Sequence, residues 1–212
     1  RALVTTTLEL QRVSDAHFIL NGRDLTLHEI SIDGRILDEA DWPVVPEGLS
    51  FSDLPKNCVL RVRSECHPQS NTSLDGLYLS GGMYCTQCEP EGFRRMAFFP
   101  DRPDVMTVFT VRIEADKAFP QLLSNGNLVE TGEVDADRHY ALWHDPHPKP
   151  SYLFACVVGD LDLAADSFTT ASGRTVDLHI YVEKDNVSLT GHAMDSLKRS
   201  MKWDEDTYGL EY

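Results

Sequence analysis

The chain has 212 residues, 34 of them Asp or Glu against 19 Lys or Arg, so its formal net charge is −15 at pH 7 and its pI is near 4.8. That balance weighs against a nucleic-acid binder. Such a protein draws affinity from clustered cations, and the densest group here is only Lys198, Arg199 and Lys202. With 42% hydrophobic and 25% charged residues the composition is globular, and the longest clear apolar run, residues 152–158, is far too short for a membrane-spanning helix.

Period-two alternation dominates the first 185 residues and predicts a mainly β chain. The first twenty residues alternate like a strand and show neither an initiator Met nor a signal-peptide pattern, which reads as a segment of a longer chain. Leu25, Leu27, Ile30 and Ile32 form the next strand, with a bulge expected near Glu29, and Asp33-Gly34 signals a tight turn. Asp38 to Pro55 holds three prolines and reads as irregular. Val59 to Glu65 alternates apolar and basic residues, and a strand is expected around Leu77 to Leu79. Phe109, Val111, Ile113 and Ala115 face one way while Thr110, Arg112 and Glu114 face the other, as in a half-buried antiparallel strand. Asn125-Gly126 is a turn, followed by strands at Tyr140 to Trp143, Tyr152 to Val158 and Val176 to Val182. Near residue 190 the period changes. Met194, Leu197 and Met201 recur at spacings of three and four, predicting one amphipathic helix over Ala193 to Trp203.

Common catalytic signatures are missing: no phosphate loop, no dinucleotide fingerprint, no nucleophile elbow and no H-E-x-x-H. Five cysteines (Cys58, Cys66, Cys85, Cys88, Cys156) are an odd number in a chain too large to need stapling, which favours free thiols and a reducing, cytoplasmic setting. Cys85 and Cys88 have C-x-x-C spacing, but no further ligands complete a tetrahedral site, so no metal is assigned to this segment. His144-Asp145-Pro146-His147 is flanked by prolines and reads as a rigid turn. Gln87, Glu89 and Glu91 lie in a Cys-, Pro- and Gly-punctuated loop after a strand, where binding residues tend to lie. On residue chemistry alone, the favoured reading is that Glu89 and Glu91 simply add to an acidic surface.

Five segments, in order, carry a resemblance: Thr86-Gln87-Cys88-Glu89-Pro90-Glu91-Gly92-Phe93-Arg94, Pro100-Asp101-Arg102-Pro103-Asp104-Val105, Leu122-Leu123-Ser124-Asn125-Gly126-Asn127, Asp145 through Ala155, and Ser200-Met201-Lys202-Trp203-Asp204-Glu205. Together they resemble the amino-terminal domain of bacterial aminopeptidase N, a family of zinc metallo-aminopeptidases of the gluzincin type. The resemblance covers nearly the whole chain and is strongest over residues 76–212. It implies a saddle-shaped antiparallel β-sheet or sandwich domain over residues 1–187, then a carboxy-terminal amphipathic helix opening a catalytic domain at residues 188–212. Zinc belongs to the full-length enzyme, and the G-x-M-E-N and H-E-x-x-H motifs are absent here.

The function implied is release of amino-terminal amino acids from peptides. In the family, the glutamate of the T-Q-C-E segment reaches the substrate's free α-amine and the glutamine lines the first side-chain pocket, roles that would fall on Glu89 and Gln87. Arg102, between two prolines, is instead expected to pair with a carboxylate structurally. By the same resemblance the partners are peptide substrates and the chain's own catalytic domain, with no nucleic acid and no membrane, and this segment alone is inactive. The competing reading is a non-catalytic β-sandwich binding or interaction module.

Overall fold

The computed structural model describes residues 1–212 and separates them into two compact units, Arg1–Gly159 and Asp160–Tyr212. Its strands run in chain order as β1 (Ala2–Gln11), β2 (Phe18–Asn21), β3 (Thr26–Ile32), β4 (Arg35–Ile36), β5 (Val44–Val45), β6 (Gly48–Phe51), β7 (Asn57–Cys66) and β8 (Gly76–Ser80). There follow β9 (Met83–Gln87), β10 (Thr107–Asp116), β11 (Gln121–Ser124), β12 (Asn127–Glu133), β13 (Arg138–Lys149), β14 (Cys156–Gly159), β15 (Leu161–Thr169) and β16 (Thr175–Glu183). A single helix, α1 (Gly191–Tyr208), follows them. The expected mainly β fold with one carboxy-terminal helix is what the chain adopts, and every strand pairing is antiparallel.

The first unit holds four sheets, in the orders β1-β7-β3-β4, β2-β6-β5, β11-β14-β9-β8 and β10-β13-β12. Alternation explains why β7 is a central strand. Cys58, Leu60, Val62 and Ser64 are buried while Val59, Arg61 and Arg63 face water, so the charges sit where they stay hydrated. The bulge expected near Glu29 is present as a register shift between Leu27 and Glu29 against β7. Asp33 and Gly34 take φ of 50° and 81°, the positive values that a two-residue hairpin between β3 and β4 requires. β10 turns its odd-numbered residues inward as its pattern dictates, burying Phe109 and half-burying Val111, Ile113 and Ala115.

Several expectations need correction. Asp38 to Pro55 is not irregular throughout: β5 and β6 lie in it, and Leu49 is fully buried. Its prolines, Pro43, Pro46 and Pro55, all stand outside those two strands, which is how the segment tolerates them. The segment 144–149 is not a turn, because β13 continues through Lys149. Beyond His144, β13 has no partner on its β12 side, so Pro146 and Pro148 lie where a missing N–H removes no bond from that neighbour. Asn125-Gly126 turns tightly, with Gly126 at φ 85°, but it joins strands of two different sheets. Residues 152–158 split into a 3-10 turn, Ser151–Leu153, and the short strand β14.

The main core of the first unit gathers Leu20, Ile30, Leu49, Leu60 and Val62 with a cluster of phenylalanines. Phe93 lies 4.8 Å from Phe99, 5.1 Å from Phe154 and 6.0 Å from Phe109, centroid to centroid. These tilted and edge-on contacts bring together distant chain segments, two of which carry the motif sequences.

The second unit is the β15–β16 hairpin with α1, packed around Val176, Leu178 and Met194. The packing division at 159/160 precedes the expected boundary at 187/188, because the hairpin shares this core with the helix. The helix outruns its expected span at both ends and stops at Gly209, whose φ of 66° forms a left-handed cap. No helix in the chain is long and apolar enough to cross a membrane.

Candidate functional site

β9 is bonded to β8 on one side and β14 on the other, so it delivers the chain rigidly into the loop that follows Gln87. The loop is pinned at both ends. Cys88 is buried with the phenylalanine core, and the Gly92 amide donates to the Cys88 carbonyl at 2.8 Å. Gly92 has room for no side chain, since an added Cβ would stand 2.2 Å from the Gln87 carbonyl oxygen and 2.3 Å from Asp75 Oδ1. Between the pins, Glu89, Pro90 and Glu91 project into solvent, with Gln87 exposed just ahead of them.

The two residues singled out by sequence are adjacent in space. Gln87 Nε2 donates to the Glu89 carbonyl at 3.1 Å, so the amide braces the backbone on which the carboxylate stands. Unlike its neighbour, the Glu89 carboxylate forms no ion pair or hydrogen bond within the chain. Glu91 pairs with Arg94 at 3.2 Å. An exposed carboxylate on a braced loop, with no internal cation to satisfy it, suits a cationic ligand group.

Beneath the loop lies a polar cluster that sequence reasoning did not find. Asp101 is almost fully buried and accepts at Oδ2 from both the backbone N–H and Nε of Arg94, at 3.2 and 2.9 Å. Its carbonyl accepts from Arg94 Nη2 at 2.8 Å, its amide donates to Asn21 Oδ1 at 3.2 Å, and Ser151 Oγ bonds its Oδ1. Nearby, Asn125 donates to the Leu153 carbonyl and accepts from the Ala155 amide. In the sequence, Asp101 looks like a turn residue between two prolines and only its burial distinguishes it. Arg102 pairs with Asp104 on the surface, at 2.9 and 2.6 Å, as expected for a structural ion pair.

The other candidate groups do not converge. His144 Nδ1 bonds Thr110 Oγ1 across β10, whereas Asp145 pairs with Lys149, which holds its carboxyl below the usual carboxylate range. All five cysteines are free thiols. Burial, with Asp101 adding to it, pushes Cys88 up to about 12, and burial likewise pushes Cys156 up to about 12. No group of three or more His, Cys, Asp or Glu side chains is arranged to hold a metal ion, so the residues of this segment do not fit a zinc site.

The model of the peptidase M1 N-terminal domain matches residues 3–153. Aminopeptidase N of Caulobacter vibrioides is 51% identical over the whole chain, which spans 25% of that protein, and aminopeptidase N of Escherichia coli is 48% identical with 24% spanned. The crystal structure of Legionella pneumophila aminopeptidase A in complex with aspartic acid superposes on 99% of the chain with a TM-score of 0.92 at 32% identity, using 25% of its own length. An M1 zinc metallopeptidase from Deinococcus radiodurans shares the fold at TM-score 0.72 and 16% identity. The chain thus spans about a quarter of the length of the curated relatives it matches.

Proposed function

The chain belongs to the peptidase M1 N-terminal domain family, and from that premise we propose that it is the amino-terminal β domain of a zinc aminopeptidase, in which Glu89 anchors the α-ammonium group of the peptide substrate. An exopeptidase must measure distance from the chain end, and the ammonium group is the handle unique to that end. A fixed carboxylate supplies the ruler. The observation that carries the assignment is the braced, exposed Glu89 carboxylate, which has no partner of its own. Gln87, whose Nε2 is spent on the Glu89 carbonyl, keeps its amide oxygen and methylenes to line the pocket for the first side chain.

On this reading the zinc site lies outside these residues, in the catalytic domain that residues 188–212, with α1, begin. The segment by itself is inactive and bears one wall of the cleft. Its five free thiols suit a cytoplasmic enzyme of peptide catabolism.

The test is Glu89→Gln in the complete enzyme, which keeps shape and removes charge. A hydrogen bond to a charged group contributes about 1.5–3 kcal/mol, so kcat/KM on free-amine peptides should fall about ten- to hundredfold. Wild-type kcat/KM in the variant would return Glu89 to the general acidic surface.

A further inference from the structure

The polar cluster under the loop has a directional arrangement. Arg94 reaches down to Asp101, whose side chain is 1% exposed, and up to Glu91, whose side chain is 66% exposed. Its guanidinium uses Nε and Nη2 on Asp101 and Nη1 on Glu91, so all three nitrogens are engaged. Its backbone is held as well, the N–H by Asp101 and the carbonyl by the Arg23 amide at 2.8 Å. Asp101 in turn is tied to Asn21 on β2 and to Ser151 in the turn before β14. Three of the motif segments therefore meet at one carboxylate, and Arg94 is the side chain that connects it to the loop.

We infer that Arg94 is a positioning residue for Glu89, transmitting the rigidity of the buried Asp101 cluster through Glu91 to the exposed end of the loop; this rests on the reading of Glu89 as the amine anchor. The geometry requires arginine rather than any cation. A planar fork can bridge two carboxylates on opposite sides, whereas a lysine ammonium has one nitrogen and must choose. If it kept the buried partner, Glu91 would be released and the loop would lose one of its restraints beside Glu89. Beyond whatever stability the lost bond to Asp101 removes, the cost then falls on amine recognition.

The experiment is a double-mutant cycle in the complete enzyme, with Arg94→Lys, Glu89→Gln and the double variant assayed for kcat and KM on an aminoacyl chromogenic substrate. Arg94→Lys should lower kcat/KM about three- to tenfold, chiefly through KM, while the same change on the Glu89→Gln background should cost less than about twofold, because the group being positioned is gone. Ser151→Ala, which leaves Arg94 intact and removes one bond to Asp101, should show the same coupling at smaller size and guards against a lysine variant that folds poorly. Equal losses in both backgrounds would overturn the inference and leave Arg94 a purely structural residue. A Glu89→Gln enzyme with full activity would overturn the anchor reading and this one together, whereas a costly Glu89→Gln with additive Arg94→Lys would overturn this one alone.

Discussion

The loop after β9 and the helix α1 both present charged residues, yet their support differs. The loop is anchored through Cys88 in a core of seventeen buried residues that includes Phe93, Phe99, Phe109 and Phe154, and through Arg94 to the Asp101 cluster. The core cluster of the second unit has three buried residues, Val176, Leu178 and Met194, and the unit leaves Leu189, Trp203, Tyr208, Leu210 and Tyr212 more than half exposed. A carboxylate that must hold a fixed distance needs deep support, because each ordered contact beneath it removes freedom that binding would otherwise have to remove. In the second unit α1 is held to the hairpin by this small core and by one surface ion pair, Lys198–Asp166, and such exposed pairs contribute little individually.

Core truncation gives the largest expected effects. Phe93→Ala should destabilise by about 3–5 kcal/mol, and Met194→Ala by about 2 kcal/mol, since the smaller cluster can collapse around the gap. Denaturant unfolding of the two variants checks this, and equal losses would break the contrast between the units. Next come the glycines. Gly92→Ala forces a methyl group against the Gln87 carbonyl and should cost about 1–3 kcal/mol, whereas Gly209→Ala strains only one left-handed residue at a helix end and should cost about 1 kcal/mol.

The smallest effects concern pH. Asp145 and Asp166 each pair with a lysine that holds the folded carboxyl below its ordinary value. Each pair therefore stabilises fully above about pH 4, the ordinary range of the unfolded carboxyl, and its contribution is lost as pH falls through the lowered folded value. The Asp145–Lys149 side chains are 7% and 16% exposed, the Asp166–Lys198 side chains 46% and 33%. Melting curves from pH 2 to 6 should flatten for Asp145→Asn at any ionic strength. For Asp166→Asn the flattening should be smaller and vanish in high salt. A salt-insensitive Asp166→Asn would contradict the surface character of that pair.

Much of the architecture was legible because it rests on local periodicity. The alternation of Phe109 to Ala115, the odd-to-even step near Glu29, the Asp33-Gly34 turn and the Met194, Leu197, Met201 spacing each declare their element from nearest neighbours alone. Glu89 and Gln87 were singled out through their motif, which is a string of adjacent residues. The hairpin strand β15 was missed since Asp162, Ala164, Ala165 and Asp166 dilute its apolar alternation, and the prolines of β13 misled because whether a strand has a partner on its second side is not a local property.

What the sequence by itself determined was the β class, the helix, the glycine turns at Asp33-Gly34 and Asn125-Gly126 and the choice of a candidate carboxylate, all set by the chemistry of contiguous residues. Only the tertiary structure decided that Glu89 stays unpaired, that Asp101 is buried and Arg102 is not, and that Arg94 joins the buried carboxylate to the loop. The physical reason is that burial and ion pairing depend on segments as far apart as Asn21, Arg94 and Ser151, which no spacing along the chain brings together.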